Sequence, residues 1–124
     1  MRALIITHAN LGQSLVECIT MIQGSDADLE TLSNSGLSKE NLIAKINLWL
    51  DSETDTDVII FTDFVGSSCY TAARTVAATD KRFVIQVLAG TNMPMLLTYA
   101  NSKDRHTSHE LVEIIRDRAQ RGIK

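Results

Sequence analysis

The chain has little of what marks the specialised protein classes. One proline and six glycines among 124 residues are too few for a disordered or low-complexity protein. Cys18 and Cys69 stand far apart, without metal-binding spacing or a disulfide framework, so both are expected to be reduced thiols of a cytoplasmic protein. No apolar run approaches the roughly 20 residues of a membrane-spanning helix. The opening Met1-Arg2-Ala3-Leu4 leads straight into an expected strand, with no secretory signal expected before it. Twelve Lys and Arg against fifteen Asp and Glu give a formal charge of −3, which offers no general attraction to nucleic acid or an anionic membrane. Trp49 and Tyr99 read as packing residues and form no stacking platform for bases. A Walker loop and a G-x-S-x-G elbow are both missing.

What is present is an ordinary soluble composition, 44% hydrophobic and 22% charged, at a length that supports one domain with one sound core. Strand-like and helix-like patterns alternate along it. The apolar run Ala3 to Thr7 and the run Val58 to Thr62 read as buried parallel strands. Residues 28–33 form a weaker strand pattern, and Phe83 to Leu88 a further one. Between them, Leu11, Leu15, Val16, Ile19 and Ile22 fall at helical spacing up to a stop at Gly24. Ser38 is placed to cap a helix buried through Leu42, Ile43, Ile46, Trp49 and Leu50. A helix rich in alanine is expected from about Ser67 to Thr79. Asn92 reads as an N-cap with Pro94 in the first turn, and Thr107 to Glu110 has capping-box spacing. Strands alternating with helices over short connections indicate an α/β domain with a mainly parallel sheet.

Chemistry concentrates at two strand ends. His8 ends the first strand, and Asp63 ends the run 58–62. Ligand crevices of open parallel sheets lie outside the carboxyl ends of the strands, so the two residues are candidates for one crevice. A carboxylate on one imidazole nitrogen fixes the tautomer and frees the other to attack. Gly66-Ser67-Ser68 then opens a helix, whose free N–H groups and hydroxyls suit an anion such as a phosphoryl group. Thr7 is placed to add a hydroxyl or to pack. No His or Cys nearby in sequence completes a metal set. The alternating Asp51, Glu53, Asp55 and Asp57 lack the glycine and distal glutamate of a calcium loop and read as a solvated turn. His106 and His109 read as surface residues.

These segments resemble the enzyme IIA component of the mannose/fructose/sorbose family of the phosphoenolpyruvate-dependent sugar phosphotransferase system. That family has a strand ending in Thr-His-Gly, a strand running into Asp-Leu-Phe-Gly-Gly-Ser-Pro-Phe-Asn-Ala-Ala, and a Gly-Val-Asn-Leu-Pro-Met-Leu segment. Here the matching stretches are Thr7-His8-Ala9, Asp63 to Ala73, and Gly90 to Leu96, in the same order, with Arg121-Gly122-Ile123-Lys124 resembling the family's ending. Ala9, Ser67 and Cys69 depart from the pattern, where the family has glycine, glycine and proline.

The resemblance implies a doubly wound, four-stranded sheet of order 2-1-3-4 with helices on both faces, residues 1–124 forming a single enzyme IIA domain. It implies His8 as the phosphorylated residue, Asp63 as its orienting carboxylate, and Thr7, Gly66, Ser67 and Ser68 around the phosphoryl group. The implied donor is the histidine-containing phosphocarrier protein and the implied acceptor an enzyme IIB component, in service of carbohydrate uptake. No cofactor and no metal is called for, and the membrane is met only through the sugar permease. A homodimer is implied as well. Because family dimers exchange a C-terminal strand and only Gly122-Ile123-Lys124 follow the last helix here, association through helix faces and the sheet edge is expected, with little exchange. Two other readings stay open: a regulatory or dedicated phosphodonor of the dihydroxyacetone kinase type, and a receiver-like signalling domain with Asp63 as phosphoacceptor. The latter requires an acidic pair after the first strand, where this chain has Thr7-His8.

Overall fold

The computed structural model describes all residues from Met1 to Lys124. Four strands, β1 (Arg2–Thr7), β2 (Leu29–Ser33), β3 (Asp57–Thr62) and β4 (Val84–Leu88), form one parallel sheet in the order β2-β1-β3-β4. Five helices connect and follow them: α1 (Leu11–Gln23), α2 (Lys39–Asp51), α3 (Ser68–Thr79), α4 (Met93–Ser102) and α5 (Ser108–Arg121). None is long and apolar enough to cross a membrane. The expected doubly wound α/β sheet is therefore the observed one, with each strand's start shifted by one residue from the expected run.

The central strands show why the pattern reads so cleanly. Every residue of β1 is buried, because helices cover both faces of the sheet and alternate side chains enter two different cores. Ala3, Ile5, Ile59 and Phe61 face one core, where they meet Ile19 of α1, Leu96 and Tyr99 of α4, and Leu111 and Ile115 of α5. Leu4, Ile6, Val58 and Ile60 face the other, against Leu42, Ile46 and Leu50 of α2 and Ala72, Ala73 and Val76 of α3. The small alanines of α3 let that helix lie close to the sheet. Truncating any of the fully buried isoleucines to alanine would cost about 2–5 kcal/mol.

Local signals end the helices as expected. Gly24 closes α1 in the left-handed region at φ 76°. The side chains of Ser38 and Asn92 accept from the amides of Asn41 and Met95, and Thr107 forms a reciprocal capping box with Glu110. The acidic residues 51 to 56 lie exposed in the turn between α2 and β3, as expected, and they also make specific ion pairs. Asp51 pairs with Arg82 at 2.9 Å, Asp55 with the Met1 amine at 2.5 Å, and Glu53 lies 3.7 Å from Arg2. Asp57 accepts from the Ser108 amide at 2.9 Å and from its hydroxyl, so it seats the start of α5. Their partners are remote in sequence, which the local alternation of charge could not reveal.

The order of the strands places the site. From β1 the chain crosses to β2 on one side, and from β3 to β4 on the other, so the connections diverge between β1 and β3. Ile6 is opposite Thr62 in that pairing, and the next residues along both strands lead to His8 and Asp63. This is the switch point at which such sheets open a crevice.

Candidate functional site: a histidine and aspartate at the sheet switch point

His8 and Asp63 meet at this opening. Nδ1 of His8 lies 2.5 Å from Oδ2 of Asp63, and the His8 backbone amide donates to the same oxygen at 3.0 Å. The other oxygen, Oδ1, accepts from the Phe64 amide at 2.9 Å and from the Ser67 hydroxyl at 2.8 Å. Burial pushes the Asp63 carboxyl upward, but the hydrogen bonds from the His8 ring, the His8 amide, Ser67 and Phe64 outweigh it and hold its pKa below the usual carboxylate range. An ionised carboxylate only accepts, so the proton between the pair belongs to Nδ1. Nε2 is left with a lone pair on a side chain that is 52% exposed, while that of Asp63 is 8% exposed.

The loop before α3 explains how these groups are presented. Gly66 turns the chain at φ 88°, a conformation costly for any residue with a Cβ. The turn brings Ser67 to the N-cap of α3, where its side chain accepts from the Tyr70 amide. Neighbouring backbone N–H groups of Gly66, Ser68 and Cys69 donate to no backbone carbonyl. They stand at a helix start, where partial positive charge favours an anion. Ser68 Oγ accepts from Asn34 Nδ2 at 3.0 Å. Phe64 lies against the imidazole, ring centroids 5.8 Å apart and planes inclined by 22°.

Not every residue expected around the phosphoryl group points there. Thr7 is 1% exposed, and its Oγ1 accepts from the Gly12 amide at 2.9 Å. Its hydroxyl thus serves the first turn of α1, which comes close because Gly12 has no Cβ to meet Ile5. Ser67 is 4% exposed and commits its hydroxyl to Asp63. Gly66 and Ser68 are exposed. Asn34 and Phe64 were not singled out by the sequence. Asn34 follows the weak strand β2, and nothing in local spacing tells that this loop reaches across to Ser68.

The three departures from the family pattern separate physically. Ala9 does adopt the left-handed conformation a glycine would take freely, at φ 49°, so strain is present immediately after His8. Ser67 has an ordinary extended backbone, φ −66° and ψ 162°, and needs no glycine. Cys69 is buried beneath the pair, and burial, then the negative charge of Asp63, push its thiol up to about 11. Donor atoms of His8, Asp63 and Cys69 lie within 4.8 Å of one another. Nδ1 and Oδ2, 2.5 Å apart, are closer together than two ligands spread around one ion. This trio is therefore no ready metal cage.

Larger concavities lie elsewhere, including a groove of about 770 Å³ between α1 and β2 lined by Gln13, Glu17 and Glu30. His8 instead stands on an open face with exposed Leu11, Phe64 and Val65 on the segments beside it. Such a face suits contact with another protein better than enclosure of a small molecule.

Comparison with known proteins gives a consistent likeness. The family model described as "PTS system fructose IIA component" matches residues 2–116. A phosphotransferase system component EIIA from Streptococcus agalactiae is similar in structure, with TM-score 0.92, 18% identity, and coverage of 99% of this chain and 95% of that one. A mannose/sorbose specific IIA subunit from Enterococcus faecalis superposes with TM-score 0.87 at 18% identity, covering 99% and 92% of the two chains. Comparison with curated proteins finds no match.

Proposed function

Because the chain belongs to the mannose-type family of fructose IIA components of the sugar phosphotransferase system, we propose that it is a phosphocarrier acting through His8. In this reading the histidine-containing phosphocarrier protein donates a phosphoryl group to Nε2 of His8, and an enzyme IIB component then accepts it for carbohydrate uptake. The observation that carries the reading is the His8–Asp63 pair at the switch point, with Nδ1 held at 2.5 Å and Nε2 open to solvent.

The chemistry follows from that geometry. Nε2 attacks phosphorus in line as the P–N bond to the donor histidine breaks, and the electron pair leaves with the donor ring. The His8 ring gains positive charge, which Asp63 stabilises through the Nδ1 proton it holds in place. The free amides of Gly66, Ser68 and Cys69, with the Ser68 hydroxyl, receive the phosphoryl oxygens. In the second step the new P–N bond breaks as a histidine or cysteine of the IIB partner attacks. Each step exchanges one bond to phosphorus for another, so the chain supplies positioning and charge rather than a cofactor. Residues 1–124 act as one cytoplasmic IIA domain, self-associated as a homodimer, meeting the membrane only through the permease.

Incubation with phosphoenolpyruvate, enzyme I and the phosphocarrier protein tests this reading. The protein should acquire phosphate and lose it when a IIB partner is added. A protein that stays unmodified while an established IIA component in the same mixture is phosphorylated would overturn it.

A further inference from the structure

Ser67 has an ordinary extended backbone at the N-cap of α3, and its hydroxyl has a single proton to donate. That proton goes to Oδ1 of Asp63 at 2.8 Å, while the oxygen accepts from the Tyr70 amide at 3.1 Å. Burial of Ser67 keeps water from competing for either bond. Resting on the phosphocarrier reading, we propose that Ser67 is a positioning residue for phosphoryl transfer, tying the carboxylate that orients His8 to the first turn of α3.

The last torsion of an aspartate side chain is broad and only weakly restrained by its own bonds. Oδ2 faces His8 and accepts from the His8 amide at 3.0 Å, so the direction in which it presents its remaining lone pairs depends on that amide together with what fixes Oδ1. Two groups do so, the Phe64 amide and the Ser67 hydroxyl. The amide belongs to the adjacent residue and follows the loop. The hydroxyl is anchored on the helix itself through the Tyr70 amide. Removing it leaves Oδ1 on the loop alone, and rotation then carries Oδ2 away from the line of Nδ1. The imidazole loses its preference for the Nδ1–H tautomer, and Nε2 is no longer the free nucleophile in every molecule. The titratable groups facing Asp63 are His8 from the end of β1 and Cys69 from α3, so the effect reads out on both sides of the carboxylate.

Ser67→Gly tests this without dismantling the helix start, because glycine is nearly as good an N-cap as serine. Ser67→Thr, which keeps the hydroxyl, is the rescue. In the unphosphorylated protein, nitrogen NMR of the His8 ring should change from one tautomer to a mixture in Ser67→Gly. The Asp63 carboxyl should titrate at higher pH, since one of the donors that holds it low is gone. In transfer assays kcat should fall about tenfold, the effect of losing one hydrogen bond to a charged group, with KM for the phosphocarrier protein unchanged. Ser67→Thr should restore all three. A Ser67→Gly protein with the wild-type tautomer signal and wild-type kcat would overturn the positioning role. A wild-type protein that takes no phosphate, but whose His8 tautomer still responds to Ser67→Gly, would overturn the phosphocarrier reading while supporting the tie.

Discussion

Phe64 covers one side of the His8 imidazole, nearly parallel to it at 5.8 Å between ring centroids, and is itself 56% exposed. An aromatic face beside a ring that becomes cationic is favourable by about 0.5–1 kcal/mol at an exposed position. The same ring also restricts how far the imidazole turns. Phe64→Ala should therefore lower kcat/KM for phosphate receipt by about two- to fivefold, with stability unchanged within about 0.5 kcal/mol because the residue is largely outside the core. Transfer kinetics beside denaturant unfolding check this. Unaltered kinetics would show that the stacking is incidental.

Asp63→Asn keeps the shape of the carboxylate but permits the amide to favour the wrong imidazole tautomer. Transfer should slow by roughly a hundredfold or more, while the circular dichroism spectrum is retained. The pH dependence has a definite sign. Asp63 is held below the ordinary carboxylate value of 3.8, so its contribution to stability is present above that value and is lost as pH falls through the lower, folded one. An acid titration of stability should show this loss in the wild type and not in Asp63→Asn. Equal acid sensitivity in both would mean that the hydrogen bonds around Asp63 do not favour its ionised form.

Asn34 and Ser68 should behave as one unit. Ser68→Ala is expected to reduce transfer by about tenfold, less than Asp63→Asn, because the amides of the helix start remain. Asn34→Ala should give a similar loss by releasing the Ser68 hydroxyl, and the double variant little more than either single one. A double-mutant cycle measures the coupling. Strictly additive losses would argue that Asn34 does not act through Ser68.

Ala9 is the strained residue beside the nucleophile. A left-handed conformation costs a residue with a Cβ about 1–2 kcal/mol, and glycine offsets part of that gain through its freer unfolded chain. Ala9→Gly should leave the protein more stable by up to about 1 kcal/mol, and Ala9→Val should destabilise it. Chemical denaturation compares them directly. A marked loss of stability in Ala9→Gly would mean that the loop does not hold this conformation in solution.

These residues also show where the sequence was legible. Strands with both faces buried leave continuous apolar runs, and caps are encoded within four residues of each helix end, so the sheet, its helices and the two reactive strand ends could be read locally. The family motif added the strand order, which local pattern alone does not contain. What escaped was contact across the fold. Asn34 reaches Ser68 because β2 and β3 flank β1, and Asp57 meets Ser108 because α5 returns to the start of β3. Ser67 was legible as a helix cap but not as the partner of Asp63, since a hydroxyl beside an anion site has several available acceptors until the loop is built. Of the two roles open to Thr7, packing is the one its burial agrees with, because the approach of α1, permitted by Gly12, decides which way its hydroxyl turns.

The most direct test of the account is to locate the phosphate. After phosphorylation by phosphoenolpyruvate, enzyme I and the phosphocarrier protein, phosphorus and nitrogen NMR of the intact protein should report an acid-labile, base-stable phosphohistidine bonded through Nε2 of His8. The signal should vanish in His8→Ala and persist when His106 or His109 is replaced. Phosphate that remains on the His8→Ala protein, or that is found on Nδ1 of His8, would contradict it.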